Sequence, residues 1–299
     1  MGSGINLVVE GDPPVTADLA KQVPEWFRNW ESALSRFLPT SELCSLNASP
    51  ATDVQISQTM FEALSAALGA AQLSEGLVTP TTLEALERAG YDKSFEQLSS
   101  EAVAGAQARA SGPVPDFRNI QLHKDGLRVS RPKGVRLDLG GSTKGWAADQ
   151  AVARIAGRAH ALLDAGGDIA MTGPRRDGQP WPIAVGSPFD PPRQLAILLL
   201  SGGGVGTSGR DFRKWQKDGK WQHHLIDPRT GQPAETDLIS VTVVGPSAMQ
   251  AEVVSKAVLI RGSKGGLAWL EAREQFAGLL VLENGTVLRS SRMSRYLAP

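Results

Sequence analysis

Apolar positions recur at helical spacing over residues 17–36, where Trp26 and Trp30 fall one turn apart, and over 59–73, 81–89, 143–156 and 247–260. Shorter β-rich runs fall at Ile5–Val9, 118–122, 126–130, 135–139, Ala161–Asp164, Ile183–Val185, Leu195–Leu200 and Ser240–Val244. Leu267–Glu271 reads as helical. Gly278–Glu283 and Thr286–Arg289 read as a hairpin around Asn284-Gly285. Pro39-Thr40-Ser41-Glu42 reads as a turn or helix cap, and Gly90 as a helix stop. Helices dominate the first third and strands mix with helices after residue 117, so the pattern predicts a mixed α+β fold. The expected organisation is one large domain over 1–299, with a sub-boundary near the Ala-, Ser-, Gly- and Pro-rich stretch 99–116.

Composition narrows this picture. Thirty-one basic residues balance 31 acidic ones among 299, with 41% hydrophobic and 21% charged. That balance excludes disorder and discourages nucleic-acid or membrane-surface binding through bulk charge. Cys44 is the only cysteine, so no intrachain disulfide and no cysteine-based zinc site can form. The first residues carry no basic, apolar leader, and the longest apolar run, Leu195–Leu200, is too short to span a bilayer. A soluble, cytoplasmic chain is the expectation. The outlier is 32 glycines, above the roughly 7% of average proteins.

Four segments could carry chemistry. Leu137-Asp138-Leu139-Gly140-Gly141-Ser142-Thr143-Lys144-Gly145-Trp146 runs from an expected strand through glycines into a helix. Bared N–H groups at such a helix start suit an anion, and Lys144 adds charge; a plain tight turn with a capping hydroxyl fits equally. Leu163 to Ile169 places Asp164 and Asp168 around a glycine pair, as metal or hydroxyl ligands or, as the residues alone favour, Asx-turn aspartates. Thr207-Ser208-Gly209 precedes His223-His224-Leu225-Ile226-Asp227-Pro228-Arg229-Thr230-Gly231, where an imidazole could serve as general base and Asp227 could orient it or cap the turn. Glu252 and Lys256 share a helix face at i, i+4, which alone suggests a surface ion pair.

In this order the segments closely resemble the ApbE family of flavin transferases. Met1-Gly2-Ser3 is similar to its opening MGT, and Ser41-Glu42-Leu43 with Asn47 to its SEL-x-x-x-N. Asp138 to Asp149 resembles DLGGxxKG(Y/W)AxD, and Asp164 to Asp168 resembles (N/D)AGGD. Thr207 to Gly209 resembles TSG, and His224 to Pro233 resembles HxIDPxTGxP. The resemblance implies a T-fold-like core with central sheets flanked by helices. It implies attack by an acceptor protein's Ser or Thr hydroxyl on the FMN phosphorus of FAD, aided by magnesium, with AMP released. It implies His224 and Asp227 as catalytic residues. Met1, Phe37, Leu77, Val78, Thr79, Asp138, Lys144 and Leu225 would contact FAD, and Gly141, Glu252 and Ser255 would hold the metal.

This chain departs from the family at three places. Phe37 stands where tyrosine is common, Thr79 where aspartate is common, and Glu252 and Lys256 where Asp and Thr ligate the metal. An ammonium cannot ligate a cation. Lys256 would instead place its own charge where the metal sits. The competing expectations are an FAD-binding protein without transfer activity and an FAD pyrophosphatase that releases FMN and AMP.

Overall fold

A computed structural model describes residues 4–98, 112–217 and 219–299. In chain order the first half contains β1 (Ile5–Glu10), α1 (Pro13–Leu34), α2 (Glu42–Ala48), β2 (Asp53–Gln55), α3 (Gln58–Leu73), α4 (Leu83–Arg88), β3 (Gln121–His123) and β4 (Arg128–Ser130). Then follow α5 (Thr143–Ile155), β5 (His160–Ala165), β6 (Asp168–Met171), β7 (Trp181–Gly186), β8 (Gln194–Leu200) and β9 (Gly204–Gly209). The chain closes with β10 (Lys214–Lys217), β11 (Lys220–His223), β12 (Ile226–Asp227), β13 (Gln232–Pro233), β14 (Leu238–Gly245), α6 (Ala248–Glu271), β15 (Ala277–Leu282) and β16 (Val287–Arg289). The mixed α+β class stands. No helix among the described residues is long and apolar enough to cross a membrane.

The chain divides into two compact units. Unit 1 comprises Phe27–Thr143 and Phe212–Ala234; unit 2 comprises residues 4–26, Lys144–Asp211 and Glu235–Pro299. The stretch 99–116, read as a sub-boundary, falls within the span of unit 1, and its residues 99–111 lie outside the described residues.

Unit 2 is built on a seven-stranded sheet in the order β1-β5-β6-β9-β14-β15-β16. Every adjacent pair is antiparallel. The interior strand β14 reads LISVTVVG and is buried at every position but Ile239, because it is paired on both edges and covered on both faces. Trp181, Ile183 and Val185 of β7 pack with Leu198 and Leu200 of β8 against Val244, Leu279 and Val281 of the sheet. The terminal hairpin β15–β16 forms as its Asn-Gly turn predicts.

Unit 1 holds the three-stranded sheet β2-β4-β3, the hairpins β10–β11 and β12–β13, and helices α2 to α4. Ser41 caps α2 by accepting the Cys44 N–H at 3.0 Å, as the cap reading expects. A second core joins Ala85, Leu86, Tyr91, Trp215 and Ile226.

Three elements differ from the sequence reading. Helix α1 starts at Pro13 rather than 17, because proline in a first turn forgoes only an amide that has no helical partner. Residues 135–139 form no strand. Polar groups there are satisfied elsewhere: Leu137 N–H donates to Asn47 Oδ1 at 2.7 Å, Asn47 Nδ2 donates to Leu137 O at 2.8 Å, and Asp138 N–H donates to Pro80 O at 2.8 Å. A ladder is unnecessary once those groups are paired. Finally, the two helices read at 247–260 and 267–271 are both present within α6, separated by non-helical backbone at Gly262 with φ 75°, and the second begins earlier than its reading. Asp237 accepts the Ser263 N–H there at 2.8 Å and so caps the second segment.

Candidate functional site

Unit 2 buries four charged side chains together. Lys144 is the second residue of α5, Asp168 opens β6, and Glu252 and Lys256 lie one turn apart on α6. Lys144 Nζ donates to Asp168 Oδ2 and, at 2.7 Å, to Glu252 Oε1. Lys256 Nζ donates to the same Oε1 at 2.8 Å. Glu252 Oε2 accepts the Gly145 N–H at 2.9 Å. Asp168 and Glu252 are 0% exposed and Lys256 is 8% exposed. The surface-pair reading of Glu252 and Lys256 is therefore corrected: i, i+4 spacing sets a shared face, and this face points inward.

Backbone approach makes the cluster possible. A Cβ on Gly145 would lie 2.6 Å from Met249 Cα, and one on Gly206 of β9 would lie 2.6 Å from Glu252 Cα. Only glycine lets α5 and β9 come this close to the first turns of α6. Asp149, the last residue of the Asp138–Asp149 motif, fixes the start of α6 by accepting the N–H groups of Ala248 at 2.9 Å and Met249 at 3.0 Å. A carboxylate there also faces the positive end of the helix dipole. Asp164 keeps the role its residues favoured: it accepts the Gly167 N–H at 2.7 Å across a turn in which Gly166 and Gly167 have φ of 68° and 93°. That turn presents Asp168 to the cluster.

Burial and neighbouring charge pull these groups in opposite directions. Burial and the Glu252 carboxylate push Asp168 up to about 7 despite Lys144. Burial opposes ionisation of Glu252, but the two ammoniums outweigh it and hold the carboxyl below its usual range. Burial likewise opposes charge on Lys144, yet Asp168 and Glu252 raise it above the ordinary lysine value. Lys256 sits below that value, because burial exceeds the pull of Glu252. Asp168 Oδ1 is buried with no hydrogen-bond partner among the described residues. The group proposed to ligate a metal does not fit one. Both oxygens of Glu252 are engaged by three N–H donors, and Ser255 Oγ is bonded to Ser208 Oγ at 2.7 Å and Glu252 O at 2.9 Å. A divalent ion about 4 Å from an ammonium at an effective dielectric of about 20 is repelled by about 8 kcal/mol, twice the unit-charge figure.

Unit 1 positions Asp138 differently. Its Oδ1 accepts the Gly140 N–H at 2.6 Å and its Oδ2 accepts Arg36 Nε at 2.8 Å. The Arg36 guanidinium lies 4.1 Å from the Phe37 ring centroid and 4.5 Å from that of Tyr91. Phe37 thus reaches Asp138 through Arg36, a residue the sequence reading passed over, as it passed over Tyr91 and Asp149. A basic residue beside the Phe37 position was the available signal for Arg36. Leu77, Val78 and Thr79 are buried; Val78 N–H donates to Ser74 Oγ at 2.9 Å, and Thr79 Oγ1 bonds Thr81 Oγ1 at 2.9 Å. Gly141 faces Val78, whose Cγ1 would lie 3.3 Å from a Cβ there. Four amides of the glycine turn have partners within the protein. The N–H of Gly140 goes to Asp138, those of Ser142 and Thr143 to Leu139 O, and that of Gly145 to Glu252.

The adjacent histidines part company. Leu225 N–H donates to His223 Nδ1 at 3.3 Å, so Nε2 carries the proton that bonds Ala234 O at 3.1 Å. His223 is a buried brace. His224 is half-buried beside it, ahead of buried Leu225. Asp227 builds the following turn: its carboxylate takes the Arg229 N–H at 2.9 Å and Nη2 at 2.7 Å, while its carbonyl takes the Gly231 N–H at 2.8 Å. Met1 lies outside the described residues.

Comparison with known proteins fits these features. The chain is 34% identical over 153 residues to an FAD:protein FMN transferase of Salmonella typhimurium, covering 50% of this chain and 43% of that protein. That match spans less than half the length of the relative. A protein of the same name from Klebsiella pneumoniae is 27% identical over 94% of this chain and 87% of its own length. The crystal structure of the ApbE protein of Thermotoga maritima matches with TM-score 0.88 at 27% identity, covering 100% of this chain and 97% of that one. The flavin transferase ApbE of Vibrio cholerae shares the fold, with TM-score 0.80 at 23% identity over 99% of this chain and 96% of that one. The model of the ApbE family matches residues 1–280, and the chain belongs to that family.

Proposed function

We propose that this chain transfers FMN from FAD to a Ser or Thr hydroxyl of an acceptor protein. One observation carries the reading: the family match spans residues 1–280 and keeps Asp138, Lys144 and the His224-Leu225-Ile226-Asp227-Pro228 segment in order. In the reaction the acceptor Oγ bonds the FMN phosphorus and the bridging P–O bond breaks. AMP leaves with the bridging oxygen. His224 accepts the hydroxyl proton as general base. Asp227 shapes the turn that follows His224, a positioning role consistent with its bonds to Arg229. Asp138, oriented by Arg36, and Lys144, kept charged by its carboxylates, bind FAD, with Phe37, Leu77, Val78, Thr79, Leu225 and Met1 forming flavin contacts. Magnesium at Gly141, Glu252 and Ser255 would neutralise phosphate charge in the family pattern, but the donors of Glu252 argue against it here.

The test is transfer itself. The full chain is incubated with FAD and an acceptor protein that carries phosphoester-linked FMN in nature, then run on a denaturing gel. Fluorescence that survives denaturation, with AMP release, is expected. His224→Ala should lose the label and keep FAD binding; unchanged labelling would refute its role.

A further inference from the structure

The buried cluster in unit 2 contains a charge arrangement the proposed reaction does not yet use. Two ammoniums meet one carboxylate oxygen: Lys144 Nζ at 2.7 Å and Lys256 Nζ at 2.8 Å from Glu252 Oε1. Two unit charges on one oxygen equal the charge of a single divalent ion. The other oxygen of Glu252 is occupied by the Gly145 N–H. The Ser255 hydroxyl is bonded to Ser208 Oγ and Glu252 O. No three His, Cys, Asp or Glu side chains among the described residues group to hold a metal. An ammonium has three N–H donors and no acceptor, so it binds oxyanions as a cation does but cannot share a ligand with a metal at bonding distance. Glu252 Oε1 is the partner of Lys256 among the described residues, which leaves two of its donors for other oxygens.

We propose that Lys256 is a built-in replacement for a divalent cation, so that its ammonium, anchored on Glu252, supplies the positive charge the transfer needs and the reaction runs without added metal. This rests on the transferase reading above. It makes Lys256 a specificity device: the chain binds its nucleotide substrate as the free anion rather than as a metal complex.

The experiment uses the full chain, stripped with EDTA and verified metal-free by elemental analysis. Manganese binding is followed by electron paramagnetic resonance with and without FAD, alongside flavin labelling of the acceptor with and without magnesium. The wild type should leave the manganese signal at the level of an FAD-only control and should label within twofold whether or not magnesium is added. Lys256→Thr should bind manganese with FAD present, and its labelling should fall at least tenfold in EDTA and return with magnesium. Wild-type labelling that EDTA abolishes and magnesium restores overturns the proposal. So does stoichiometric manganese binding by the wild type that Glu252→Gln removes. If Lys256→Thr does not fold, the wild-type arms decide alone. If no condition yields label, the transferase reading fails, while manganese binding still decides the role of Lys256.

Discussion

In unit 1 one guanidinium answers one carboxylate, Arg36 to Asp138 at 2.8 Å. In unit 2 two ammoniums converge on one oxygen of Glu252, and a second carboxylate, Asp168, answers only one of them. The first cluster is closed as a charge pair and roofed by two aromatic rings. The second has no one-to-one pairing, and Lys256 depends on Glu252 while Lys144 bridges both carboxylates. Among the described residues each also keeps a buried polar atom without a hydrogen-bond partner: a donor, Nη2 of Arg36, and an acceptor, Oδ1 of Asp168. Buried polar atoms are normally satisfied, so these mark where each region retains binding capacity. The difference teaches that charge neutrality of a whole chain hides local design. A closed pair orients a residue, whereas an over-determined cluster fixes charges in place for work.

The largest expected effect breaks the scaffold of the second cluster alone. Gly206→Ala should cost about 4 kcal/mol or more, because the new Cβ meets the backbone of Glu252, which cannot move aside as a side-chain end could. Thermal or chemical unfolding of the soluble fraction checks this; a loss under 1 kcal/mol would contradict the packing account. Glu252→Ala comes next, at about 3–5 kcal/mol, since it strands the buried Lys256 ammonium and leaves Lys144 with Asp168 alone. Arg36→Met should cost about 3 kcal/mol, because Asp138 retains only its amide bonds.

Double variants sharpen the contrast. Arg36→Met with Asp138→Asn should recover much of the single loss, as a closed pair replaced by neutral groups can. Lys256→Met with Glu252→Gln should recover little, because Lys144 keeps half its pairing only. Denaturant titration around both cycles gives the coupling energies. Equal recovery in the two regions would erase the distinction.

A smaller effect follows pH. Asp168 is raised above its unfolded value, so the unfolded chain releases this proton first as pH rises. Its contribution to stability is full below about pH 4, falls as pH climbs to about 7, and is flat above. Asp168→Asn should remove that decline relative to the wild type, while Asp138→Asn should leave it in place. Smallest is Asp149→Ala, at about 1 kcal/mol, from loss of the α6 cap.

The elements legible in the sequence are helices whose burial repeats along one face, such as α3 and α5, and the continuous apolar run of β14. Strand β9 (Gly204–Gly209) was not, because the glycines that let α6 approach leave no side-chain alternation to read. Segment 135–139 looked like a strand, but its pairing depends on Asn47, 90 residues away. The site was legible as motif order. Its electrostatics were not: spacing put Glu252 and Lys256 on one face, and only the fold decided that the face was buried. The aspartates around the glycine pair looked equivalent, yet Asp164 builds the turn and Asp168 joins the ion cluster.

One measurement bears most directly on the account: mass spectrometry of the acceptor after incubation with the full chain and FAD. The account predicts FMN added through phosphate to a Ser or Thr, with one AMP released per acceptor labelled. FAD bound with no adduct, or FMN and AMP released together into solution, would contradict it.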